Sequence, residues 1–346
     1  MSPRFWDEPP DDDKSLYEPV YVLNRDSKIR QDVRDFVEDL WSRYEPYCGD
    51  ENFLAEARRH FNQFTWQMYV GVCILAAGHT LEKAAPTGPD HKATMAGRRV
   101  WIECIAPEAG EGDNVAERTI QSWTKTELGG HGMFRPPPDD KIAARLTGAI
   151  LNKVQQHRKW VTKGIVPADD PFIIAIGGGL IPDADLDRDL PHIVHALFGL
   201  GDSALTYEVG SEEPAKTIPT YRDEIKRVVK TDAGDKEAPI SLRGFLDETL
   251  YPEVSAVICC GHGVWNPPRK IGRDLVTVYN AVAKRSLPPG TVPLGREYWA
   301  EQVVRSRDNR EDLPEPEPDE ETKKAVEDLI AKDNATRKLS SGAVDD

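Results

Sequence analysis

Gly88-Pro89-Asp90-His91-Lys92-Ala93-Thr94-Met95-Ala96-Gly97-Arg98-Arg99-Val100-Trp101-Ile102-Glu103-Cys104-Ile105 is the stretch on which the reading of this chain turns. Asp90 opens a short extended run, Ala96-Gly97 can turn the chain, and Val100-Trp101-Ile102 leads apolar into Glu103. Tight hairpins favour glycine, which accepts positive φ without a Cβ clash. If the two runs pair in one sheet, carboxylates thirteen positions apart meet at one end of it. Two anionic groups a few ångströms apart repel each other in a low dielectric. They suit a hard divalent cation, which takes carboxylate oxygens and keeps waters for chemistry.

Outward from this stretch, periodicity predicts the remaining elements. Ile29, Val33, Phe36, Val37, Leu40 and Trp41 recur at helical spacing and predict a helix over 27–47. A second helix is expected over 53–77, apolar on most sides from Trp66 onward and therefore buried, with Gly78 as its C-cap residue. Extended runs follow over 80–83, 90–95 and 98–106. Residues 108–139, rich in Gly, Pro and charge, read as a long loop or lid. Asp139 or Asp140 can cap a helix over 141–163 with Ile142, Leu146, Ile150, Val154 and Trp160 on its apolar side. Phe172-Ile-Ile-Ala-Ile176 is a short buried-strand run. Further on, a helix near 191–200 and strands over 254–260 and 274–279 read as an extension of the same sheet or its covering layer. The tail from Ser306 is charged, with an amphipathic helix expected over 322–331.

The pairing of Pro89-Asp90 with Glu103 resembles the metal site of the PD-(D/E)xK nuclease superfamily, and the resemblance runs over about residues 53–176. It implies an α/β chain with a restriction-endonuclease-like αβββαβ core over 27–180. A polar lead (1–26) would precede the core, with a C-terminal α/β extension (181–300) and a charged, partly disordered tail (301–346) after it. It implies that Asp90 and Glu103 hold Mg2+ or Mn2+. The lysine position of the motif is Ile105 here, so the pattern is broken at its third element. The superfamily accepts a lysine from the following helix, and Lys153 stands there, flanked by Asn152 and Gln156. An ammonium beside the attacking water would orient it and screen charge developing on the phosphate. Lys92 is the weaker alternative, on the same strand face as Asp90. Many members place an acid on the helix before the first strand. Gln67 occupies that place, where a carbonyl oxygen can coordinate but adds no charge, and a plain helix glutamine reads equally well.

Composition bounds these expectations. With 346 residues, 39% hydrophobic and 30% charged, the chain reads as a globular body with polar tails. No apolar run reaches the roughly 20 residues that a membrane span needs, and the start lacks a signal peptide's apolar centre. Five cysteines, Cys48, Cys73, Cys104, Cys259 and Cys260, suggest reduced thiols in a cytoplasm. A net charge of −15 opposes nonspecific nucleic-acid binding, but the acid concentrates in 7–13 and 311–321. Lys141, Arg145, Lys153, Arg158, Lys159 and Lys163 fall in a stretch without Asp or Glu. That local basic face can serve a polyanion, although a solvated helix face is the plainer reading.

Three other patterns lead elsewhere. Gly177-Gly178-Gly179 lacks the spacing and the Lys-Ser/Thr of a phosphate loop and reads as a flexible exit loop. Glu108, Glu111 and Asp113 read as solvated loop charge, with a second-metal role as the alternative. Cys259 and Cys260 face opposite ways on a strand and cannot easily share one zinc. The expected function is metal-dependent phosphodiester hydrolysis on DNA, RNA or a smaller substrate. The alternative is a catalytically inactive scaffold of the same fold for protein or nucleic-acid interaction.

Overall fold

A computed structural model describes residues 4–7, 14–85, 87–110, 115, 139–187, 190–201, 204–206, 216–218, 220–231, 234–263 and 267–303. The expected loop over 108–139 and the tail helix over 322–331 lie almost wholly or wholly outside the described residues.

A seven-stranded mixed sheet, in the order β1-β2-β3-β4-β9-β10-β11, divides two helical layers. Its first four strands are β1 (Thr80–Glu82), β2 (His91–Met95), β3 (Arg98–Ile105) and β4 (Phe172–Gly177). β1 and β2, and β2 and β3, pair antiparallel. β3 pairs parallel with β4. The β2–β3 connection is two residues long, because Met95 pairs with Arg98. Ala96 and Gly97 both take positive φ, 48° and 73°, as a type I′ hairpin turn requires. The alanine pays a left-handed strain of roughly 1–2 kcal/mol, and the glycine does not.

β4 is buried along its whole length, as is β9 (Val254–Cys260), which pairs parallel with it. Apolar runs such as Phe172-Ile-Ile-Ala-Ile suit strands covered on both faces. β10 (Val276–Tyr279) pairs antiparallel with β9, and β11 (Arg296–Tyr298) pairs parallel with β10 at the edge. The C-terminal strands therefore extend the same sheet. Two small ribbons were not legible in the sequence, β5 (Ala204–Thr206) with β6 (Lys216–Ile218) and β7 (Glu224–Thr231) with β8 (Gly234–Ser241). Charge and Pro239 obscure β7 and β8, yet Ile225 and Ile240 bury themselves beside Ala143 and Ala196.

One face of the sheet carries α1 (Pro19–Asp26), α2 (Gln31–Tyr44), α3 (Phe53–Arg59) and α4 (Phe61–Ala76). Ten of the sixteen residues of α4 are buried, as its all-round apolar composition requires, and Gly78 closes it at φ 82°. The indole N–H of Trp66 donates to the Ala175 carbonyl of β4 at 2.9 Å, pinning helix to sheet. The other face carries α5 (Asp139–Thr162) and α6 (His192–Phe198), the latter closed by left-handed Gly199.

Two expected helices differ in their bounds. The helix over 27–47 begins only at Gln31, because Ser27 is extended (φ −75°, ψ 128°) and closes a separate helix, α1, in the expected polar lead, and Ile29 lies 86% exposed rather than in the apolar stripe. The helix over 53–77 breaks at His60 (φ −130°, ψ 53°). The physical reason is distant in the chain. The Glu18 carboxylate accepts the Asn62 N–H at 3.1 Å, capping the first turn of α4, while the Glu18 N–H donates to the Arg58 carbonyl at the end of α3. Asp139 and Asp140 sit inside the first turn of α5, where their charge meets the positive end of the helix dipole. Among the described residues, no helix is long and apolar enough to cross a membrane.

Candidate active site

The β2–β3 register pairs His91 with Ile102. One step further along both strands brings Asp90 opposite Glu103. The Asp90 N–H donates to Glu103 Oε2 at 3.2 Å. The Asp90 carboxylate reaches across and accepts the Cys104 N–H at 2.8 Å. Alternation along β3 buries Ile102 and Cys104 against the α1–α4 layer, so Glu103 faces α5. There Lys153 Nζ lies 2.6 Å from Glu103 Oε1 and also donates to Gln156 Oε1 at 3.3 Å. The Glu103 and Lys153 side chains are only 6% and 16% exposed. Asp90, Glu103 and Lys153 thus converge from two strands and a helix fifty residues further along the chain.

Burial dominates the electrostatics of this cluster. It pushes the Glu103 carboxyl up from 4.5 to about 8, with Asp90 repulsion adding to the rise and Lys153 opposing it. Burial pushes Asp90 the same way, against the Cys104 N–H and the Lys153 ammonium. The two acids take up and release protons as one pair. A divalent cation bound here would displace a proton, so affinity would rise with pH.

The other expected site residues lie elsewhere. The Gln67 side-chain amide donates to the Tyr44 hydroxyl at 3.1 Å, and its backbone carbonyl accepts from His91 Nε2 at 3.0 Å. Its hydrogen bonds thus run to α2 and β2 rather than to Asp90 or Glu103. Lys92 pairs with Glu82 on β1 at 2.5 Å and lies 5.6 Å from the centre of the Trp101 ring. Ile105, at the motif's lysine position, packs into the apolar layer under α5. Asn152 is exposed, and of its two expected polar companions only Gln156 touches Lys153. Glu108 offers its backbone carbonyl to Arg145, while Glu111 and Asp113 lie outside the described residues.

One neighbour was not legible in the sequence. Past the end of β2, the β3 backbone lacks a strand partner on that side, and side chains supply one. Asp90 takes the Cys104 N–H. The Gln63 amide donates to the Cys104 carbonyl at 3.1 Å, and its oxygen accepts the Ala106 N–H at 2.7 Å. Gln63 is one helical turn before Gln67, and nothing but that spacing could have pointed to it.

The donor set is limited to two carboxylates. Among the described residues, no group of three or more His, Cys, Asp or Glu is placed to hold a metal. Magnesium is commonly held by one or two carboxylates, with water and substrate phosphate completing its shell, so Asp90 and Glu103 fit that cation better than a thiolate- or imidazole-seeking one. The basic face is partly occupied as well. Arg158 pairs with Glu253, and Lys141 and Arg145 bond to the backbone carbonyls of Val115 and Glu108.

The thiols carry no reactive signature. All five cysteines are free, and four are buried. Burial pushes the Cys259 thiol up to about 12 and raises Cys73, Cys104 and Cys260 as well, which leaves them protonated and weakly nucleophilic. Gly177-Gly178-Gly179 is a packed turn rather than a loose exit. A Cβ on Gly179 would stand 2.3 Å from Gly263 Cα, and one on Gly177 would stand 2.9 Å from the Trp66 ring. No protein-family model matches the chain, and no curated protein or solved structure matches it either.

Proposed function

We propose that the chain is a divalent-metal-dependent phosphodiesterase acting on nucleic acid, built on a restriction-endonuclease-like core. The observation that carries this reading is the meeting of Lys153 with Asp90 and Glu103 in one buried cluster. The order α4-β1-β2-β3-α5-β4, with β1–β3 antiparallel and β3 parallel to β4, agrees with it. Asp90 and Glu103 would hold Mg2+ or Mn2+, which when bound polarises a phosphate oxygen and lowers the pKa of coordinated water. Lys153 supplies a fixed positive charge where a pentavalent phosphate would gain negative charge, and a buried charge is worth more there than in water. Gln156 holds the ammonium from its other side.

The test is cleavage of single- and double-stranded DNA and RNA with magnesium or manganese by the wild type, Asp90→Asn and Lys153→Ala. Metal-dependent cleavage abolished in Asp90→Asn supports the reading. A second reading, an inactive scaffold of the same fold, is favoured by the closed Lys153–Glu103 ion pair and by Gln67 turning to Tyr44. Magnesium titration calorimetry separates the two. An active site takes up the cation and loses it in Asp90→Asn, whereas a scaffold with no cation uptake and no cleavage on all four substrates sinks the catalytic reading.

A further inference from the structure

Two residues beyond Cys104, just past the end of β3, the chain meets a concave feature. Ala106 lines a cleft of about 50 Å³, open to solvent, at the C-terminal ends of β3, β4 and β9. Its walls are flat, formed by Phe36, Trp66, Tyr69, Pro267 and Pro268. Phe36 and Tyr69 lie 6.0 Å apart, and Trp66 and Tyr69 5.9 Å apart, at oblique angles. These walls are held rigidly. Trp66 is anchored to Ala175 and backed by Gly177, and the Tyr69 hydroxyl accepts the Gly272 N–H at 2.9 Å.

Among the lining groups Asp274 is the one carboxylate. It accepts the Tyr69 hydroxyl and, at 3.1 Å, the Cys260 thiol. A carboxylate has about four lone-pair sites, so Asp274 retains capacity for donors on a ligand. Flat apolar walls with a single carboxylate among their polar groups suit a planar heterocycle bearing N–H donors.

We propose that this cleft receives a nucleobase carrying an exocyclic amine. The substrate class rests on the phosphodiesterase reading, but occupancy of the cleft needs neither metal nor phosphate. The base lies between the Phe36 ring and the wall opposite, and its amino group donates to Asp274. Cytosine, adenine and guanine satisfy that contact, and thymine lacks the amine.

The test is calorimetry on the full chain in EDTA, with deoxycytidine, deoxyadenosine, deoxyguanosine and thymidine as probes. The three amino-bearing nucleosides are expected to bind about tenfold more tightly than thymidine, a discrimination in the range of one good base contact. Phe36→Ala weakens all of them by about tenfold through lost stacking. Asp274→Asn removes the preference. Phe36 is half-buried at the mouth, so its variant keeps the test alive if Asp274→Asn fails to fold. The proposal is overturned if no nucleoside binds the wild type, if thymidine binds as tightly as the others, or if Phe36→Ala binds unchanged. Nucleoside binding without cleavage of any nucleic acid would overturn the phosphodiesterase reading alone. Cleavage without nucleoside binding would overturn the cleft alone.

Discussion

Replacing Glu103 with glutamine should flatten the pH dependence of stability in the metal-free protein. Glu103 is 4% exposed, and its burial raises the carboxyl from 4.5 to about 8 in the folded state. Between those values the folded chain holds a proton that the unfolded chain releases, so stability falls as pH rises. The contribution is fully present below about 4.5 and lost on passing about 8. At about 1.36 kcal/mol per pH unit, the interval amounts to roughly 5 kcal/mol, an upper figure because Asp90 titrates with it. Glutamine is neutral throughout and can still accept from Lys153, so this loss disappears in the variant. A pH-independent cost of about 1 kcal/mol remains, because the single oxygen of glutamine, accepting from Lys153, leaves the Asp90 N–H facing an NH2 donor. Urea unfolding in EDTA from about pH 5 to about pH 8, for wild type and Glu103→Gln, reads the difference directly. The variant should gain on the wild type by several kcal/mol across the window, and magnesium at the upper end should close the gap. Parallel curves would refute the assignment of a buried, proton-holding Glu103.

Lys153→Ala should slow cleavage by about 10²–10³ while changing magnesium affinity far less, because it acts on developing charge rather than on the cation. Single-turnover rates beside titration calorimetry check this, and a loss confined to affinity would remove its proposed role. Replacing Cys259 and Cys260 together with serine should preserve activity at a stability cost of roughly 1–3 kcal/mol. A folded but inactive double variant would reopen thiol chemistry. Thiol titration of the native protein should find Cys48 reacting first, since the other four are buried. Gly177→Ala should destabilise by about 1–3 kcal/mol, because its Cβ would press on the Trp66 ring at 2.9 Å. Thermal melting reads the cost, and an unchanged melting temperature would show that the ring can move aside.

Local patterning by itself determined much of this protein. Alternation in β2 and β3 and the Ala96-Gly97 turn set a hairpin register that brings Asp90 level with Glu103, because side-chain direction has period two and a two-residue turn leaves no slack. The apolar runs of β4 and β9 and the stripe of α5 were legible for the same reason, since each follows from neighbours a few residues away. Tertiary structure alone decided which lysine meets Glu103. Lys92 and Lys153 were both candidates, and the packing of α5 on the sheet, with Lys92 drawn to Glu82, separates them. It also decided that His60 breaks a helix under the influence of Glu18, that Gln63 rather than Gln67 completes the edge of β3, and that Asp274 joins Tyr69 beside the same sheet end. Those partners lie 41 to 205 residues apart. No periodicity reaches so far, because such contacts depend on which faces remain to be buried once every element has found its place in the sheet.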